Sequence, residues 1–145
     1  MAEKSAVFYV ATNGDDTWSG KQAEPSPSGD DGPFRTLARA LDASREPGTD
    51  MPRRIVVGEG TYFDVALSLD DRDSGLTLET ATGETPILYG GRLITDWEED
   101  GPFWSADLPE AATGEWDFRM LQVNGRVGRR ARYAEVGEFE HLSEF

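Results

Sequence analysis

The chain has 145 residues, a formal net charge of −14 from 28 acidic and 14 basic side chains, and 37% hydrophobic residues including seven Phe, four Tyr and four Trp. That length suits one domain with a real core, and that aromatic content excludes a disordered chain. The charge argues against nucleic acid and anionic membrane surfaces as partners, and the absence of cysteine excludes a disulfide framework, a thiol nucleophile and a cysteine zinc site.

Only Lys4 and Lys21 are lysine; the other basic residues are arginine. An acidic, lysine-poor surface stays hydrated when salt screens charge repulsion, so a halophilic source is one expectation and an ordinary acidic secreted protein the other. No apolar run approaches the length of a membrane span, and MAEKSAVFYV lacks the long apolar core of a signal peptide.

Residues 6–11, AVFYVA, read as a strand that Asn13-Gly14 ends with a turn signal. Asp15 to Pro33 is loop by composition, with Trp18 expected to pin it to the body. Thr36 is placed to cap a helix near residues 36–45 whose Leu37, Ala40 and Leu41 form one apolar stripe, with Pro47-Gly48 as its stop.

From Arg54 the pattern becomes a series of short apolar runs: IVVG at 55–58, VALSL at 65–69, LTLE at 76–79 and PILYG at 86–90. The first and third lie about 22 residues apart, as do the second and fourth, a period that fits successive coils of a parallel β-helix. An antiparallel sandwich is the competing architecture. Farther on, Val123-Asn124-Gly125-Arg126 reads as a tight hairpin turn. The last residues, EFEHLSEF, carry no polar capping element, so self-association through an uncapped C-terminal rung, with Leu142 and Phe145 exposed, is expected.

In order, FYVATNGDDTWSG, DGPFRTLARALDASR, IVVGEGTYF, LSLDDRDSG, TGETPILYGGRLITDW, GPFWSADLP and WDFRMLQVNGRVGRRARY resemble the N-terminal region of right-handed parallel β-helix carbohydrate-active enzymes. These belong to the pectate-lyase-like superfamily, and the resemblance is strongest to glycoside hydrolase family 141 and its relatives. It implies a mostly β fold: the first rungs of a right-handed single-stranded parallel β-helix, an N-terminal capping α-helix and a small additional β region. On that reading residues 1–145 form one domain within a longer protein. Residues 1–50 make the strand, loop and capping helix, 51–91 the rungs, and 92–145 an inserted β region with a hairpin.

The resemblance also implies hydrolysis of glycosidic bonds in polysaccharides or oligosaccharides, with fucosidase- and xylanase-type activities, in an extracellular or cell-surface setting. The family's catalytic carboxylates are expected outside this chain, so its catalytic residues are unknown. The leading expectation is therefore the N-terminal portion of a polysaccharide-acting hydrolase without a reaction centre of its own. The alternative is a stand-alone, non-catalytic module that binds carbohydrate or serves in assembly.

Several side chains offer chemistry, each beside a plainer role. Asn13, Asp15 and Asp16 could give oxygen ligands to calcium, although Asn-Gly-Asp is equally a plain turn; no other cofactor is expected. Arg126, Arg129, Arg130 and Arg132 form the basic cluster of an acidic chain and could dock an anionic sugar, or pair with the chain's own carboxylates. Asp70, Asp71 and Asp73 read as a solvated turn, and the lone His141 as a surface residue. Trp97, Trp104 and Trp116 could stack on sugars but are expected in the core of the inserted sheet.

Overall fold

A computed structural model describes residues 5–46 and 51–129. The chain divides into two compact units, the first ending at Ile94 and the second beginning at Thr95.

The first unit is built on a three-stranded parallel sheet. Strand β1 (Ala6–Val10) pairs with β2 (Arg53–Val57), which pairs with β4 (Leu76–Thr80). A second parallel pair joins β3 (Thr61–Tyr62) to β5 (Ile87–Leu88), with Thr61 opposite Ile87 and Tyr62 opposite Leu88. Alternate side chains of a strand share a face, so Phe8 and Val10 on β1 and Ile55 and Val57 on β2 turn together into the core.

That core is covered by α1 (Leu37–Arg45), which packs on β1 and β2 through Leu37, Ala40 and Leu41. Thr36 is its N-cap and accepts a hydrogen bond from the Arg39 amide at 3.2 Å. A helix of nine residues is too short to persist alone, so burial holds it, at roughly 1.5–3 kcal/mol for each large apolar side chain. The helix ends in an αR cap at Glu46; Pro47 and Gly48 lie outside the described residues.

The two edges of the three-stranded sheet are finished differently. On the β1 side the long loop folds back: the Tyr9 amide donates to the Gly20 carbonyl at 2.8 Å, the Ala11 amide to Phe34 at 2.9 Å, and the Phe34 amide to Tyr9 at 2.9 Å. Gly20 sits at φ +67 against the Phe34 ring, where a Cβ would clash. Among the described residues no strand pairs with the outer edge of β4, and Leu78 there is 47% exposed.

The second unit contains two short antiparallel ribbons and one helix among its described residues. Strand β6 (Glu98–Asp100) pairs with β7 (Phe103–Ser105), α2 (Pro109–Thr113) follows, and β8 (Gln122–Val123) pairs with β9 (Arg126–Val127). Asn124 at φ 49 and Gly125 at φ 76 make the hairpin turn that this residue pair favours.

Three expectations are corrected. The expected first rungs of a right-handed parallel β-helix are not what the described residues form: their strands make small separate sheets of two or three strands, accompanied by two α-helices. The repeat did mark β2 and β4, which are parallel and in register, with Ile55 opposite Leu78. It was displaced for the other pair of runs: Ile87 and Leu88 pair with Thr61 and Tyr62, and of residues 65–69, none of which is in a strand, Val65 still bonds the 86–90 run, its amide donating to the Tyr89 carbonyl. The tryptophans of the second unit do not form a buried core. Trp97 is 40% and Trp104 62% exposed, and no described residue of that unit is buried, since ribbons two or three residues long enclose no interior. Leu142, Phe145 and the rest of the C-terminal segment lie outside the described residues.

Candidate functional site

The acidic residues of the long loop are engaged in holding it. Asp16 Oδ1 accepts from the amides of Arg35 and Thr36, both at 2.9 Å, while its Oδ2 accepts from the Thr36 hydroxyl at 2.8 Å. It is thus a long-range anion at the amino end of α1, where helix amides lack partners and negative charge is favoured. Asp15 Oδ1 accepts from the Thr17 hydroxyl at 2.6 Å and the Thr17 amide at 2.8 Å, which lowers its pKa. Asp31 gathers the Ser19 amide, the Ser19 hydroxyl and the Gln22 amide group, and its pKa falls chiefly through the Ser19 amide. Asn13 is exposed on the rim of a separate cleft. Among the described residues no group of three or more His, Cys, Asp or Glu side chains is arranged to hold a metal ion.

Of the Asp70, Asp71 and Asp73 turn, Asp70 and Asp71 are exposed as expected and Asp73 is not. Residues Asp71–Asp73 form a 3₁₀ turn capped by Asp70, and Asp73 is buried against the Arg45 guanidinium. Its pKa is lowered first by the Arg45 hydrogen bond, and that of Asp70 is lowered well below the usual range by Arg72. Beside them lies Arg53, 1% exposed, donating to the carbonyls of Ser44 at 3.2 Å, Arg72 at 2.9 Å and Ser74 at 2.6 Å.

Of the basic cluster, Arg126 and Arg129 are exposed in and just after β9. Arg130, Arg132 and His141 lie outside the described residues.

Two open clefts lie in the first unit. One, of about 320 Å³, is bordered by Asn13, Glu24, Glu59 and Glu84; Glu84 Oε2 accepts from the Glu59 amide at 2.6 Å. The other, of about 560 Å³, runs from the start of α1 to the segment after β3 and is bordered by Thr12, Arg35, Thr61, Phe63 and Asp64. Its size lies within the ordinary range for small-ligand sites. Beneath it Tyr62 is buried, its hydroxyl donating to the Gly58 carbonyl at 2.9 Å, and burial pushes its pKa up.

Phe63, the residue after β3, is exposed where Tyr62 is buried, and it stacks on Tyr89, with ring centroids 5.4 Å apart and planes 10° from parallel. Sequence reasoning missed this pair because it placed the strand at 65–69. With Tyr62 opposite Leu88, the next residues along the two chains are Phe63 and Tyr89.

No protein-family model matches this sequence. No curated protein matches it. A solved structure described as a glycoside hydrolase is similar to it, with a TM-score of 0.64 and 28% identity over 90% of this chain and 22% of that chain. The chain therefore spans less than a quarter of the hydrolase it matches and shares a glycoside hydrolase-like fold over that part.

Proposed function

We propose that this chain is a portion of a polysaccharide-acting glycoside hydrolase that binds saccharide and does not cleave it unaided. One observation carries the reading: the similarity takes in 90% of this chain but 22% of the hydrolase. The electrostatics agree with it. Hydrolysis of a glycosidic bond calls for a carboxylic acid with a raised pKa, facing a second carboxylate roughly 5 Å away in retaining or about 6.5–9.5 Å in inverting enzymes. Among the described residues, the carboxyl groups with displaced pKa values, Asp15, Asp30, Asp31, Asp70 and Asp73, are all displaced downward.

Polymeric sugars are met outside the cell, so the reading carries an extracellular or cell-surface setting. The test incubates the purified chain with insoluble xylan and measures both the protein retained and the reducing sugar released. Retention without release is expected. Release that is lost on replacing one carboxylate of this chain would overturn the non-catalytic part, and absence of retention on any polysaccharide would overturn the binding part.

A further inference from the structure

We propose that the groove bordered by Phe63 is a subsite for a neutral oligosaccharide, with the Phe63 ring, backed by Tyr89, as the platform for one face of a pyranose. The inference rests on the saccharide-binding reading above and adds to it a place and a ligand class.

The platform is fixed by backbone. The Tyr89 amide donates to the Tyr62 carbonyl at 2.8 Å, the Val65 amide to Tyr89 at 3.0 Å, and the Asp64 amide to Gly91 at 2.9 Å. These bonds carry the parallel pairing of β3 and β5 past the strand ends and hold the two rings in register. An aromatic pair serving the fold alone gains most by being covered, yet Phe63 is 41% and Tyr89 38% exposed. Rings kept at the surface on a braced backbone have little freedom left to lose on binding, and aromatic walls with a few polar groups are the usual make-up of a ligand groove.

The polar groups select the ligand. Thr12, Thr61, Arg35 and Asp64 border the same groove, offering hydroxyls, a fork of donors and a carboxylate acceptor, which suit a sugar's mixed donors and acceptors. Both signs border the groove, Asp64 already lying 3.7 Å from Arg92 Nε, and what disfavours acidic saccharides is the chain's overall −14 acting at range. The smaller cleft is bordered by Glu24, Glu59 and Glu84 with no basic residue in its lining.

The test is calorimetric titration of the full chain with xylotetraose and cellotetraose as neutral probes and tetragalacturonate as the anionic one. The neutral probes should bind more tightly than the anionic one. Phe63→Ala should weaken them about tenfold or more, as expected for loss of a stacking ring, while Phe63→Trp should stay within about threefold of the wild type. If Phe63→Ala melts early, Phe63→Leu keeps the bulk without the ring and serves the same comparison. Equal binding by wild type and the Ala or Leu variant would overturn the groove while leaving the saccharide-binding reading intact. Preference for tetragalacturonate would overturn the ligand class. Absence of binding to all three probes by the wild type, together with no retention on polysaccharide, would overturn both.

Discussion

Arg45 and Asp73 meet as a two-pronged ion pair, Nε to Oδ1 at 2.9 Å and Nη2 to Oδ2 at 2.8 Å, although 28 positions separate them. The pair joins the last turn of α1 to the turn that leads into β4. Asp73 Oδ2 also accepts from the Asp70 amide at 2.8 Å, so one carboxylate closes a helix end and a 3₁₀ turn together.

The pair gives the protein an acid-sensitive fastening. Asp73 and Asp70 have folded-state pKa values lowered from the usual carboxylate value of about 3.9. A depressed pKa contributes stability that is present above the unfolded value and is lost as pH falls through the folded one. Urea midpoints should therefore hold above about pH 4 and fall on further acidification. Asp73→Asn should lower the midpoint at pH 7 and flatten part of the acid slope; an unchanged slope would show that the pair contributes nothing.

Arg53 should be the costliest basic residue to remove. Its guanidinium ties the end of α1 to two carbonyls of the segment before β4. Arg53→Ala leaves those carbonyls without their donor and opens a void, for an expected loss of about 3–4 kcal/mol in urea unfolding. A loss near that of an exposed surface substitution, about 0.5 kcal/mol, would show that water replaces it freely.

Two glycines separate backbone strain from crowding. Gly20 and Gly29 have similar positive φ values, +67 and +70, but a Cβ at Gly20 would strike the Phe34 ring whereas one at Gly29 meets nothing within 4 Å. Gly29→Ala should cost about 1 kcal/mol, the left-handed penalty alone. Gly20→Ala should cost clearly more, measured by the same denaturation curves. Equal losses would mean that the loop shifts without resistance.

Salt should stabilise the chain. With a net charge of −14, its self-repulsion is screened over about 10 Å at 0.1 M and about 3 Å at 1 M salt. The thermal midpoint is expected to rise across that range. A flat profile would show that local pairs, such as Arg54 with Glu79 and Arg72 with Asp70, already balance the field.

The helix was legible because its signals are local: Thr36 caps, and Leu37, Ala40 and Leu41 repeat at helical spacing. Strands β2 and β4 were legible for a similar reason, their apolar runs recurring at one period. Residues 65–69 misled because alternation reports where side chains go and not where amides bond. Val65 and Leu67 do pack against the core, yet the strand pairing is centred on Thr61 and Tyr62 and reaches this segment only through the Val65 amide bond to Tyr89. The Asp16 cap, the Arg45–Asp73 pair and the Phe63–Tyr89 stack were illegible, since each joins residues brought together by register or by loop closure.

The outer edge of β4, which no described strand covers, should govern association. An unpaired strand edge with an exposed leucine invites a neighbouring chain, and an inward-pointing charge is a common deterrent. Light scattering should show mass growing with concentration for the wild type and staying monomeric for Leu78→Lys. If both remain monomeric, the edge is protected by something other than a strand.

The covered β1 edge bears on how the molecule is made. The loop that closes β1 is complete by Phe34, before any residue of β2 has been synthesised, and in the order β1-β2-β4 each strand lies beside one translated earlier. Within this sheet each strand after β1 therefore leaves the ribosome with its pairing partner already made. Since synthesis runs from the N-terminus, this strand order offers each later strand of the sheet one edge to join, whereas an antiparallel barrel closes only when its last strand has been made.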